Sequence, residues 1–263
     1  MTTSGPVVLY GDFNCPWSYL AARRARALQA TGLQVELRAV EHDPWRPGQG
    51  GGRFDELHDE MDQVCAELLP GEELPYSLAG FVPRTQAAVS AYAEAYAAGV
   101  APLVRDLLFE AFWLHGLDIG DPKVVRTLLV DAIRGGSSPS EPLRDWGLAV
   151  DVTGGPVSTT AWRSVGAWRS EWHRNDNQVV PIVRTGAETI VGVDAVRWLG
   201  DQLRGRLPQA GADGRSADER SDRAGTDRAA RATTDVAALS WVSQHGNRWL
   251  RAYRRAWQQR TPA

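Results

Sequence analysis

The first forty residues constrain the fold most. Val7–Gly11 (VVLYG) is a short apolar, β-branched run ended by glycine, and in Gln34–Val40 the apolar Val35, Leu37 and Ala39 alternate with Glu36 and Arg38, so both segments read as strands. Between them Tyr19–Ala30 (YLAARRARALQA) consists of good helix formers, Pro16 suits the first turn of a helix, and Gly32 suits the position just past its end. Strand, helix, strand at this spacing is a parallel pair with a crossover, which is right-handed almost without exception. The chain therefore reads as α/β.

The next part of the sequence is helical. Glu41–Arg53 is a loop by its proline and glycine content. After it, apolar residues recur at helical spacing: Phe54, Leu57, Met61, Val64 and Leu68, then Ala88, Tyr92, Ala95 and Tyr96, then Leu103, Leu107, Leu108 and Phe112. Asp121–Pro122 is a cap and a first-turn proline, predicting a helix over Lys123–Arg134. Ser140 is predicted to cap another that ends near Val150, and Ser158–Arg174 a further one with Trp162, Val165 and Trp172 on one side. Strand character returns at Gln178–Arg184; Thr185–Gly186 is a turn signal, Glu188–Val191 its hairpin partner, and Asp194–Leu203 a closing helix. The expected layout is a split domain over 1–53 and 175–205 around a helical insertion over 54–174.

Arg206–Thr234 differs from all of this. Leu207 is its only large apolar residue, so it is expected to be a disordered linker. Asp235–Arg260 regains periodicity, with Leu239, Val242, Trp249, Tyr253 and Trp257 on one stripe of an expected amphipathic helix. That helix either packs onto the main domain or, with Arg248, Arg251, Arg254 and Arg255, docks a partner.

Composition excludes several functions. A net charge of -3 gives no electrostatic footprint for nucleic acid or for an anionic membrane. No apolar stretch approaches the roughly 20 residues of a membrane span, and Met1–Pro6 followed by the short run Val7–Tyr10 does not make a signal peptide. The expected location is the cytoplasm. The single lysine, Lys123, among many arginines reads as the codon bias of a GC-rich bacterial genome. His42, His58, His115, His173 and His245 form no pair at metal-ligand spacing, so no metal is expected.

Chemistry is concentrated directly after the first strand, in Asp12-Phe13-Asn14-Cys15-Pro16-Trp17-Ser18-Tyr19. A cysteine at a helix start faces unpaired backbone N–H groups and the positive end of the helix dipole, both of which favour its thiolate, the nucleophilic form. With Val179-Val180-Pro181-Ile182 just before the late strand and a helical segment opened by Pro83-Arg84-Thr85-Gln86-Ala87, the sequence resembles the DsbA family over about Val7–Leu203. The resemblance is to its FrnE-like and 2-hydroxychromene-2-carboxylate isomerase-like branches. It implies a thioredoxin-like fold with a large all-helical insertion and a catalytic set of Cys15, Ser18, whose hydroxyl would stabilise the Cys15 thiolate, and Pro181, a cis-proline facing the cysteine. Asn14, Pro16, Trp17 and Val180 are then expected to line the substrate or co-substrate site.

Ser18 stands where the family's Cys-x-x-Cys site has its second cysteine, so an intramolecular resolving step through that position is closed. Three routes remain open. Cys15 works as a monothiol, with glutathione or mycothiol as co-substrate rather than a tightly bound cofactor; Cys65 resolves the intermediate; or the site binds a small thiol cofactor, as in the kappa-class transferases and chromene-carboxylate isomerases. A non-catalytic protein working through its C-terminal helix is a further reading. The bland alternatives are a silent Cys15, a Ser18 that serves only the helix turn, a Cys65 buried as a small hydrophobe, Asp12 and Asn14 as loop formers, and Arg23, Arg24 and Arg26 as a solvated helix face.

Overall fold

The computed structural model describes residues 6–45, 54–175, 179–186 and 188–206. The expected linker over 206–234, all but its first residue, and the expected helix over 235–260 lie outside the described residues.

The first elements are β1 (Val7–Gly11), α1 (Pro16–Ala30) and β2 (Val35–Ala39); the last are β3 (Ile182–Thr185), β4 (Glu188–Val191) and α8 (Val193–Arg204). Among the described residues six helices come between: α2 (Phe54–Ala66), α3 (Gln86–Ala97), α4 (Ala101–Trp113), α5 (Pro122–Arg134), α6 (Glu141–Arg144) and α7 (Thr159–His173). The sheet order is β2-β1-β3-β4, with β1 parallel to β2 in the register Val7↔Val35 and antiparallel to β3 in the register Val7↔Thr185. This is a thioredoxin-like mixed sheet of α/β class. β1 is central and buried on both faces, which explains its unbroken apolar run.

α1 packs against α8 and α2, while α3 packs against α7, α4 and α5. Two buried ionic groups tie these layers together. Arg24 is 1% exposed; its guanidinium grips Glu72 through Nε and Nη2 and donates to the carbonyls of Val196 (2.8 Å) and Glu67 (2.6 Å). The expectation that it belongs to a solvated face is corrected: α1 turns this arginine towards α8, and burial is tolerated because each donor finds an acceptor. Glu94 of α3, also buried, accepts from the Val157 and Ser158 amides and from the Ser158 hydroxyl, each at 2.6 Å, and so fixes the start of α7.

Other boundaries move for local reasons. Asp121 caps α5 by accepting from the Lys123 amide at 2.8 Å. The helix expected from Ser140 to near Val150 stops at Arg144, and the Ser140 side chain makes no cap. Gly147 has φ +64, and a Cβ there would meet the Val130 carbonyl at 2.6 Å, so the chain turns away from helix against α5. In α7 the inward residues are Ala161, Trp168 and Trp172, whereas Trp162 is 68% exposed. β3 begins only at Ile182, since Pro181 has no N–H to give the ladder.

Candidate active site

Cys15 occupies the N-cap of α1, with extended backbone (φ -92, ψ 124), and Pro16 follows in the first turn. The position arises because β1 ends at Gly11 and the loop Asp12–Asn14 turns the chain into the helix, closed by the Cys15 amide donating to the Asp12 carbonyl at 3.3 Å. Trp113 of α4 donates to the Phe13 carbonyl at 2.9 Å, and Asn14 Nδ2 to the Pro83 carbonyl at 2.9 Å. The thiol thus sits on a loop pinned from two sides by the helical layer.

Val180–Pro181 arrives from the other direction. Its peptide bond is cis, and the Cys15 thiol points at the Val180 carbonyl, 3.7 Å away. Trp172 Nε1 of α7 donates to the neighbouring Val179 carbonyl at 2.8 Å, and the Gly192 amide to the Pro181 carbonyl at 2.8 Å. Of the residues expected at the site, Cys15, Ser18, Val180 and Pro181 converge; Asn14 and Pro16 are buried beside them and Trp17 is half-buried against the core.

The electrostatics correct the expectation of a stabilised thiolate. Cys15 is only 7% exposed, and this burial pushes its thiol up to about 12; hydrogen bonds from Ser18 act the other way and lose. The carboxylates of Glu60 and Asp12 raise it further. A helix N-terminus is worth at most about 2 kcal/mol to a charge, whereas taking an unpaired anion out of water costs more than that. Ser18 itself is buried, and its Oγ accepts from the Asp12 amide at 3.2 Å, so it serves both the loop and the thiol.

Asp12 is fully buried. Its Oδ2 accepts from the His42 amide at 2.8 Å and lies 2.7 Å from His42 Nδ1. Sequence reasoning passed over His42 because the partner is thirty residues distant; nothing local announces it. It likewise missed Glu41, whose carboxyl is pushed up by burial and by Asp12, against the pull of Arg84 3.8 Å away. Asp12 Oδ1, Asn14 Oδ1, Glu41 Oε1 and Thr85 Oγ1 are buried without a hydrogen-bond partner.

Cys65 is corrected from buried to half-buried; Met61 and Val64 occupy the inward positions of α2 instead. Its thiol is pushed up by burial and by Asp62, while a hydrogen bond with Tyr76 acts oppositely. A cleft of about 510 Å³ runs along α1 beside Tyr19, Arg23, Arg26, Phe109 and Glu110, but Cys15 does not line it. No cluster of three or more histidine, cysteine or carboxylate residues fit for a metal occurs among the described residues. No helix among them is long and apolar enough to cross a membrane.

Known proteins match this architecture. No curated protein matches in sequence. A probable DsbA oxidoreductase from Streptomyces coelicolor superimposes with a TM-score of 0.54 at 18% identity, covering 81% of this chain and 96% of its own. A 2-hydroxychromene-2-carboxylate isomerase does so at 0.52 and 20% identity, over 76% and 95%. The cytosolic disulfide reductase DsbM from Pseudomonas aeruginosa, solved with GSH, gives 0.51 and 17% identity, over 76% and 100%. These likenesses concern the fold. By sequence, residues 6–132 match the model of the DSBA-like thioredoxin domain family.

Proposed function

We propose that the protein is a monothiol thiol–disulfide oxidoreductase acting through Cys15. The observation that carries this reading is the opposition of the Cys15 thiol, on the N-cap of α1, to the Val180 carbonyl at 3.7 Å. A bound disulfide replaces that contact, offering its sulfur to Cys15 and its backbone or amide groups to Val180. Ser18 holds the thiol and the Asp12 amide in place. With serine at this position, the mixed disulfide is released by an external small thiol, glutathione or mycothiol, which the cytoplasm supplies. The raised thiol means that attack follows entry of a substrate, not a standing thiolate.

The test is treatment of the full chain with a neutral small disulfide, hydroxyethyl disulfide, followed by intact-mass measurement. One adduct is expected on the wild type and on Cys65→Ser, and none at this site in Cys15→Ala. An adduct pattern indifferent to Cys15 overturns the reading.

The deep burial of Cys15 favours a second reading, a thiol-cofactor-dependent isomerase or transferase in which Cys15 and Ser18 bound a small pocket. Calorimetry separates the two: saturable binding of a reduced small thiol that survives Cys15→Ala supports the second.

A further inference from the structure

If Cys15 exchanges disulfides, the surroundings of the thiol also say which ones. We propose that the site selects slim, cationic disulfides, ones carrying an ammonium near the sulfurs, over anionic disulfides of the same size, with Asp12 as the specificity-determining residue. Size comes first. Cys15 is 7% and Val180 8% exposed, and Phe13 and Asn14 beside them are buried, so little more than a single unbranched arm reaches the sulfur.

Charge comes second. Asp12 lies three residues before Cys15, is 0% exposed, and has only its Oδ2 engaged, by His42. Its Oδ1 is buried with no donor, and so is Asn14 Oδ1 on the same loop, itself 4% exposed. The loop is rich in acceptors and short of donors, and an ammonium is the complement it lacks. The charges that act most on the thiol, from Glu60 of α2 and Asp12, are both negative; Arg84 faces Glu41 and His42 faces Asp12. An arriving cation offsets that field and so helps Cys15 ionise, whereas an arriving carboxylate adds to it.

The step balances as ordinary exchange. Cys15 gives up its proton and its sulfur attacks one sulfur of the disulfide; a Cys15–S bond forms, the S–S bond breaks, and the leaving thiolate takes up a proton.

The experiment measures mixed-disulfide formation by intact mass on the full chain carrying Cys65→Ser. Cystamine, hydroxyethyl disulfide and dithiodiglycolate are compared, each rate divided by that of the same disulfide with a free small thiol. Cystamine is expected to lead dithiodiglycolate by about tenfold, with the neutral compound between and the ratio shrinking as salt rises. Asp12→Asn should collapse the ratio. Glu60→Gln, on an exposed position of α2, should narrow it if the first variant does not fold. A flat or reversed charge order, or a ratio both variants leave intact, overturns the proposal while exchange at Cys15 stands. Absence of any Cys15 adduct overturns the exchange reading and this proposal with it.

Discussion

At the scale of single residues, the outcome at Cys15 is a contest that desolvation wins. The thiol is held at about 12 in the fold against an ordinary 9.0, so between those values the unfolded chain loses a proton that the folded chain keeps. Stability therefore falls as pH rises through that window. We expect the alkaline limb of a denaturation-versus-pH curve to be shallower in Cys15→Ser than in the wild type; coincident curves would refute the burial of this thiol. Ser18→Ala removes a hydrogen bond that pulls the thiol down and leaves the Asp12 amide without its acceptor. The iodoacetamide rate at fixed pH should drop, with its pH profile displaced upward, and stability should fall by about 1 kcal/mol.

At the scale of elements, two helices reach across the sequence to hold the site. Trp172 of α7 carries the Val179 carbonyl, so Trp172→Phe keeps most of the packing and loses the donor. A cost of about 1 kcal/mol is expected in urea denaturation, together with slower adduct formation at Cys15; unchanged adduct kinetics would mean that the Val180 segment is set by other contacts. Glu94 accepts three hydrogen bonds at the α3–α7 junction. Glu94→Ala strands two half-buried amides and a hydroxyl and should cost about 2 kcal/mol or more, seen as a lower urea midpoint.

At the scale of the whole molecule, Arg24 joins α1, α8 and the segment between α2 and α3. Burial acts to raise the Glu72 carboxyl, but the hydrogen bonds from Arg24 and the Leu69 amide outweigh it and hold it below its ordinary 4.5. A depressed folded value contributes stability that is present above pH 4.5 and lost as pH falls below it. Arg24→Ala leaves a partly buried carboxylate uncompensated and should cost about 3–5 kcal/mol. Glu72→Gln should flatten the acid limb of the stability curve, and an unchanged acid limb would show that the pair does not couple to folding.

The sequence alone determined the βαβ start, the return of a hairpin and helix near residue 180, and a cysteine followed by proline at the start of the first helix. Those features are local, written in strand alternation, helix formers and a proline at a helix start. Gly11, Asp121 and Ser158 sit where their chemistry puts them, at a strand end and two helix caps. What the thiol experiences is another matter. The Cys15 environment is assembled from the Asp12 loop, His42, Glu60 of α2 and the Val180 carbonyl, groups up to 165 positions away. The same holds for Arg24, which reads as surface on its helix until α8 arrives. Burial and charge are sums over neighbours in space, and only the tertiary structure says who those neighbours are.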